Sequence, residues 1–241
     1  DGFELDVGGT AIATLNVSGS DFLRNGTLGL QVLTADTATA NVRVSTSDFD
    51  YDTAAFGRGI ELNGTQSSTM NFDISNNPTI KGKGGVGLAI VMDNNTRGNG
   101  FIRNNAYIAG TPGSTGSALM VRANGTAQIK VEISGNTVDK QGSDNGITIE
   151  NPTTGGTSRI DAVVTGNNVT TTTQAAYGIQ LLALTSNTIC GYVANNAVTE
   201  LSTSGGLLAV GAFRARASTA GAVIILENFT ADTATTWINN G

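Results

Sequence analysis

The stretch KVEISGNTV, residues 130–138, contains the two features that decide the fold. Val131 and Ile133 alternate with Lys130 and Glu132, so the apolar side chains point to one face of a strand and the polar side chains to the other. A small polar turn follows the strand, and another apolar residue follows the turn. The pattern predicts a short β-strand that ends at a tight corner of the backbone.

Related phrases recur along the whole chain. Their aligned turn residues are 27, 30, 28, 31, 31 and 29 residues apart, and they are Ser20, Ser47, Asn77, Asn105, Asn136, Asn167 and Asn196. A second phrase, in which glycine or alanine precedes alternating apolar residues, begins at Gly2, Gly29, Gly59, Gly87, Ala118, Gly146, Gly178 and Gly206. Both phrases keep one period, and a unit this short buries its apolar face only when its neighbours stack on it. The sequence therefore predicts a solenoid.

The predicted fold is all-β, a single right-handed parallel β-helix of about eight coils over residues 1–241. Because stacked parallel strands lie about 4.8 Å apart, such a rod would be about 38 Å long. The expected inward positions are Leu30, Ile60, Leu88, Ile147, Ile179, Val44, Ile74, Ile133, Val164 and Val193. The turn residues are expected to form a ladder, because Asn tolerates a left-handed backbone and its carboxamide can bond to the equivalent amide of the next coil. The recurrent glycine is expected at a corner with positive φ.

The period, the glycine phrase and the turns at 134–138 and 165–169 resemble the right-handed parallel β-helix superfamily, the pectate-lyase-like fold. Within it, the chain is most similar to repeat regions of large bacterial surface proteins and autotransporter passengers. The resemblance implies an exported, extracellular or cell-surface protein, and we expect a segment of a longer solenoid or fibre-forming protein. Enzymes and inert stalks share this fold, so activity has to be argued from a site.

Composition excludes several classes of function. The chain has 13 Lys and Arg against 19 Asp and Glu, a net charge of -6, and its basic residues are scattered. Nucleic acids and anionic bilayers both require clustered basic residues, so we expect neither as a partner. The absence of histidine excludes a Ser-His-Asp site, and the single cysteine, Cys190, excludes an internal disulfide. No apolar run reaches the length of a membrane span, which predicts no membrane insertion.

The outward strand positions are where sugar-cleaving β-helices, by the resemblance, carry their carboxylates. In the glycine phrase these positions are Glu4, Gln31, Glu61, Ala89, Met120, Thr148, Gln180 and Leu208, and in the turn phrase they are Arg43, Asp73, Phe101, Glu132, Val163 and Tyr192. No two acids share a position on adjacent coils, and only off-register pairs such as Glu132 with Asp161 come near each other. We therefore predict no catalytic residue. Cys190 is expected to point outward without a nearby cation to activate it.

Two weaker patterns remain. Asp48, Asp50 and Asp52 alternate in one loop, where three carboxylates can hold calcium, although Asp is also common in turns for its backbone hydrogen bonds. We therefore predict no cofactor and keep calcium as the alternative. Outward positions become apolar toward the end of the chain and predict an association face at Val163, Leu182, Tyr192, Leu208, Val210 and Ile224. Packing under residues 212–217 or under the tail with Trp237 is the other explanation.

The leading expectation is a non-catalytic extracellular structural or adhesive module that self-associates or stacks on neighbouring repeats of its own protein. A polysaccharide-binding or polysaccharide-cleaving β-helix is the alternative, with a surface glycan as ligand. Ice binding is a third, because threonine-rich solenoid faces can be flat, although aligned threonine columns are not evident in the sequence.

Overall fold

A computed structural model gives the architecture of the chain. The residues that it describes are all in strands, turns or short connections, and none of them is helical; they are 2–23, 28–50, 57–82, 86–110, 116–140, 144–153, 155–171, 177–200 and 211–227.

The strands are short and follow one another at regular intervals. The first eleven are β1 (Phe3–Val7), β2 (Ile12–Ser18), β3 (Asp21–Leu23), β4 (Leu28–Thr34), β5 (Thr39–Ser45), β6 (Asp48–Asp50), β7 (Arg58–Gly64), β8 (Thr69–Ser75), β9 (Thr79–Gly82), β10 (Leu88–Met92) and β11 (Arg97–Arg103). The other twelve are β12 (Ile108–Gly110), β13 (Leu119–Ala123), β14 (Gln128–Ser134), β15 (Thr137–Lys140), β16 (Ile147–Asn151), β17 (Arg159–Thr165), β18 (Asn168–Thr171), β19 (Tyr177–Ala183), β20 (Thr188–Ala194), β21 (Ala197–Glu200), β22 (Gly211–Ala217) and β23 (Val223–Leu226).

The strands form three parallel sheets that run the length of the stack. The first sheet has the order β1-β4-β7-β10-β13-β16-β19-β22, the second β2-β5-β8-β11-β14-β17-β20-β23 and the third β3-β6-β9-β12-β15-β18-β21. Each strand therefore pairs with the strand three places further along the chain, which is the topology of a coil that adds one strand to every sheet. The predicted solenoid is confirmed, and it is consistent with a right-handed parallel β-helix.

One continuous core runs along the axis of the stack. The ten residues that alternation places inward are all buried, because each lies in a column of aliphatic side chains contributed by successive coils. Within the second sheet, for example, Val44, Ile74, Ile102, Ile133 and Val164 follow one another in register. No single coil encloses these side chains, so burial depends on the coils above and below.

The glycine recurs because neighbouring backbones approach closely, and not because the position requires positive φ. Gly29 and Gly87 do not have positive φ; a Cβ on Gly29 would lie 2.5 Å from the carbonyl oxygen of Gly59, and one on Gly87 would lie 2.6 Å from that of Ala109. The glycines thus permit close approach between backbones. The positive-φ expectation is wrong for these positions.

The left-handed residue at the corner is the one before each ladder residue. Gly135 and Gly166 have φ of 66° and 64°, and Asn76 and Asn104 have φ of 56° and 54°. Glycine and asparagine adopt this conformation at little cost. The ladder residue itself is left to make hydrogen bonds between coils.

The last coil differs from the prediction. The first sheet ends with β22, in which Arg214 stands in register with Gln180. The sequence pattern places Leu208 at the position that Arg214 occupies. Leu208 and Val210 lie outside the described residues. Ile224 pairs with the buried Ile189 and packs against the core, so its predicted outward orientation is wrong. A one-residue error of register moves every side chain of a strand to the opposite face.

A candidate ligand-binding trough on the second sheet

An open trough of about 870 Å³ follows the outer face of the second sheet. Two columns of outward side chains line it, each with one residue from six successive strands of this sheet, β5 to β20. The column nearer the start of each strand, here called the inner column, contains Asn41, Asn71, Asn99, Lys130, Asp161 and Cys190. The outer column contains Arg43, Asp73, Phe101, Glu132, Val163 and Tyr192. The stacking of coils thus converts positions about 30 residues apart in sequence into neighbours.

Three asparagines of the inner column form an amide ladder. The Nδ2 group of Asn71 donates to Oδ1 of Asn41 at 2.9 Å, and Nδ2 of Asn99 donates to Oδ1 of Asn71 at 3.4 Å. A carboxamide has two N–H donors and two lone pairs, so each ladder bond leaves further capacity for a ligand. The trough therefore offers alternating donors and acceptors at the coil spacing.

Three carboxylates of the trough, those of Asp73, Glu132 and Asp161, have partners within the protein. Nη2 of Arg103 donates to Oδ2 of Asp73 at 2.9 Å, and Nε of Arg159 donates to Oδ1 of Asp161 at 2.8 Å. Ser134 Oγ donates to Oε1 of Glu132 at 2.7 Å. Hydrogen bonding to Asp161 raises the pKa of Arg159. These contacts hold the charged side chains against the sheet.

Cys190 lies in the inner column as expected, but its surroundings differ from the prediction. The thiol is 8% exposed, and Nη2 of Arg159 lies 3.3 Å from its sulfur, so a cation is nearby after all. Burial raises the pKa of the Cys190 thiol, and the charge of Arg159 only partly opposes this. The thiol is therefore protonated and weakly nucleophilic at neutral pH.

Only part of the predicted association face is assembled. Val163 and Tyr192 are neighbours in the outer column, and each is 40% exposed. Leu182 lies on the first sheet, in register between Glu150 and Arg216. It is therefore not part of the surface that Val163 and Tyr192 form on the second sheet. Val223 and Ile225 of β23, the next strand of that sheet, are also exposed, and they stand in register with Thr188 and Cys190.

The predicted turn residues lie one above another at the corner between the second and third sheets. The backbone N–H of Asn105 donates to Oδ1 of Asn136 at 3.1 Å, and that of Asn136 donates to Oδ1 of Asn167 at 3.0 Å. Equivalent backbone-to-side-chain bonds connect the other steps of the column, which are Ser20 to Ser47, Ser47 to Asn77, Asn77 to Asn105 and Asn167 to Asn196. This column is separate from the trough and fixes the corner.

The calcium candidates lie on the third sheet. Asp48 and Asp50 belong to β6, and Asp52 lies outside the described residues. Nζ of Lys81 donates to Asp50 at 3.1 Å. Asp48 stands in register with Asp21 of the preceding coil. This acidic pair lies on the third sheet, whereas the outward acids compared in the sequence belong only to the first and second sheets. In the part of the chain that the structure describes, no three acidic or cysteine side chains group together as metal ligands, and no helix could span a bilayer.

The outer face of the first sheet is partly covered at two residues that are predicted to point outward. Ala89 and Met120 are 0% and 6% exposed, and they form a small second core with Val86. Sequence reasoning missed Arg159, which lines the trough, and Arg103, which binds the trough residue Asp73, because both contacts depend on side-chain direction. The two arginines share no common step in sequence, since Arg159 precedes Asp161 by two residues and Arg103 follows Asp73 by 30.

Comparison with protein-family models, with curated proteins and with solved structures yields no match. The function therefore has to be argued from the trough itself.

Proposed function

We propose that the chain is a non-catalytic extracellular module with a structural or adhesive role, and that the trough is its contact surface. The observation that carries the proposal is the continuous pair of outward columns along the second sheet, built on a core shared by all coils. A regular rod presents such a surface rigidly, and a long shallow trough fits an extended ligand better than a small molecule. The contacts to Asp73, Glu132 and Asp161 favour binding over acid–base chemistry.

Adherence of protein-coated beads tests this proposal. Beads carrying the full chain are applied to immobilised neutral glycans, acidic glycans and extracellular matrix proteins. We expect adherence to at least one of these polymers and a loss of about tenfold for the double variant Asn71→Ala/Tyr192→Ala, which removes an amide and an aromatic ring from the trough. Asn168→Ala is the matched control, because Asn168 is an exposed asparagine on the third sheet. Equal adherence of the double variant, or none by the native chain, contradicts the proposal.

Cleavage of a polysaccharide in the trough is the second candidate, and the placement of Glu132 and Asp161 favours it. Asp161 pairs in register with Lys130, and Glu132 lies two residues further along β14. The α-carbons of the two acids are thus about 8 Å apart, from the strand spacing and rise. Glycoside hydrolysis uses carboxyl groups about 5–10 Å apart, a separation that side chains on α-carbons at this distance can reach.

Release of reducing ends from soluble polysaccharides distinguishes cleavage from binding. We expect no release above the buffer rate, because Ser134 and Arg159 already bind the two carboxylates. If the native chain releases reducing ends, and Glu132→Gln and Asp161→Asn each abolish this release while binding is retained, the protein is an enzyme and not an adhesive module.

Self-association is the proposed route to a larger surface assembly. Val223 and Ile225 are 42% and 47% exposed on β23, the last strand of the second sheet among the described residues. Exposed aliphatic side chains that are grouped in this way favour contact with another apolar surface, and a second copy offers the same one.

A further inference from the structure

We propose that the ligand of the trough is an uncharged linear glycan, bound along the stack of coils. The inference rests on the proposed function, because it specifies the polymer that the contact surface recognises. Its starting point is the amide ladder of Asn41, Asn71 and Asn99, which runs parallel to the long axis of the trough.

Charge balance argues against a charged polymer. Four basic and four acidic side chains line or reach the trough, and they are Arg43, Arg103, Lys130, Arg159, Asp73, Glu132, Asp161 and Glu227. Two of the basic side chains are joined to two of the acidic ones in ion pairs, Arg103 with Asp73 and Arg159 with Asp161. A surface without net charge gives no long-range attraction for a polyanion or a polycation. Recognition then depends on hydrogen bonds and on stacking, which suit hydroxyl-rich rings.

The spacing of the ladder argues against an extended peptide. Successive amides are separated by the distance between strands, about 4.8 Å, whereas side chains on one face of an extended peptide repeat at about 6.8 Å. A peptide laid along the stack therefore loses register after two coils. A pyranose ring in an extended chain advances by close to one coil spacing, so each sugar can meet an equivalent amide.

Two exposed aromatic rings mark positions where sugar rings can stack. Phe101 and Tyr192 are 42% and 40% exposed and stand three coils apart in the outer column. That separation is about 14 Å, from three strand spacings. The guanidinium of Arg103 lies over the ring of Phe101, 4.8 Å from its centre, so a sugar has to stack on the rest of the exposed ring. An aromatic ring offers an apolar face to the C–H groups of a sugar while the amides bind its hydroxyls.

Calorimetric titration of the full chain tests the proposal. The probes are cellohexaose, mannohexaose and xylohexaose as neutral chains, hexagalacturonate as an acidic chain, and an extended polar peptide of similar length. We expect binding of at least one neutral hexasaccharide, with an affinity that changes by less than about twofold between low and high salt. Tyr192→Ala and Asn71→Ala should each weaken it by about tenfold. Asn168→Ala should leave it unchanged, and melting curves show whether each variant is folded.

The outcomes separate this inference from the proposed function. Binding of hexagalacturonate or of the peptide alone overturns the neutral-glycan inference, while trough-dependent adherence of the beads still supports an adhesive role. The neutral-glycan inference is likewise overturned if no hexasaccharide binds but beads adhere to a matrix protein. Loss of adherence to every polymer overturns both. Neutral-glycan binding that is insensitive to Tyr192→Ala and Asn71→Ala places the ligand outside the trough and also overturns the inference.

Discussion

Asn136 makes four side-chain hydrogen bonds although almost none of its surface is exposed. Its Nδ2 donates to the carbonyl of Ile102 at 2.9 Å and to Oδ1 of Asn167 at 3.0 Å. Its Oδ1 accepts from the backbone N–H of Asn105 at 3.1 Å and from that residue's Nδ2 at 2.8 Å. One carboxamide thus connects three successive coils, which explains why a small polar residue recurs at this corner.

Replacing Asn136 should therefore be costly. Asn136→Ala leaves the buried N–H of Asn105 and the carbonyl of Ile102 without their partner, and we expect a loss of about 3 kcal/mol in the free energy of unfolding. Urea unfolding followed by circular dichroism measures it. Asn168→Ala, at an exposed asparagine, should change stability by less than about 0.5 kcal/mol. Equal effects of the two variants would show that the corner ladder is not stabilising.

Tyr107 provides a prediction for alkaline pH. Burial and the hydrogen bond from its hydroxyl to Asp139, at 3.0 Å, raise the pKa of Tyr107 from 10.0 to about 12. Since the unfolded chain loses this proton first, the stabilisation by Tyr107 is complete below pH 10 and is lost as the pH rises toward 12. The difference in melting temperature between the native chain and Tyr107→Phe should therefore decrease from pH 10 to pH 12.

The comparison with Tyr107→Phe is needed because another group titrates nearby. Burial lowers the pKa of Lys140, so its contribution to stability rises with pH over the alkaline range, opposite to that of Tyr107. Both proteins contain Lys140, and the difference between them isolates the tyrosine. A difference in melting temperature that stays constant from pH 9 to pH 12 would contradict the assignment.

At the scale of single strands, glycine sets how closely neighbouring strands and corners approach. A Cβ on Gly87 would lie 2.6 Å from the carbonyl oxygen of Ala109 and 2.7 Å from that of Ile80, and neither backbone atom can move without shifting its strand. In the next coil the equivalent residue is Ala118, so the constraint is local to each coil.

Gly87→Ala should accordingly destabilise the protein by about 1–3 kcal/mol through overpacking. Gly8→Ala is the matched control, because a Cβ there meets only the Asp36 carboxylate at 3.6 Å and the residue is exposed. Thermal unfolding of both variants measures the difference. A melting temperature of Gly87→Ala at or above that of Gly8→Ala would mean that the backbones at this corner adjust freely.

Alternation and period were sufficient to predict the strands, their parallel stacking and the inward residues, because each follows from burial of one face. The contact between Arg159 and Cys190 could not be predicted, since they are 31 residues apart and meet only through register and side-chain direction. The error at Ile224 has the same origin: its strand contains consecutive aliphatic residues, so alternation does not identify the inward face.

At the scale of the whole molecule, the exposed aliphatic pair Val223 and Ile225 on β23 is expected to promote self-association. Val223→Ser/Ile225→Ser should lower the average mass of the protein at high concentration, because it removes exposed aliphatic surface without touching the inward Ile224 and Leu226. Sedimentation equilibrium measures that mass. The pair Thr170→Ser/Thr199→Ser on the third sheet controls for a double substitution on another sheet of the stack. An unchanged mass would remove this face as the site of self-association.

Each proposal for this chain depends on residues about 30 apart in sequence becoming neighbours in space. A crystal structure tests this most directly through the α-carbon spacings in two columns, Asn136 with Asn167 and Asn196, and Asn41 with Asn71 and Asn99. We predict spacings of about 4.8 Å at every step, with carboxamides bonded from coil to coil. Either column broken, with its asparagines separated or turned to opposite faces, would contradict the account.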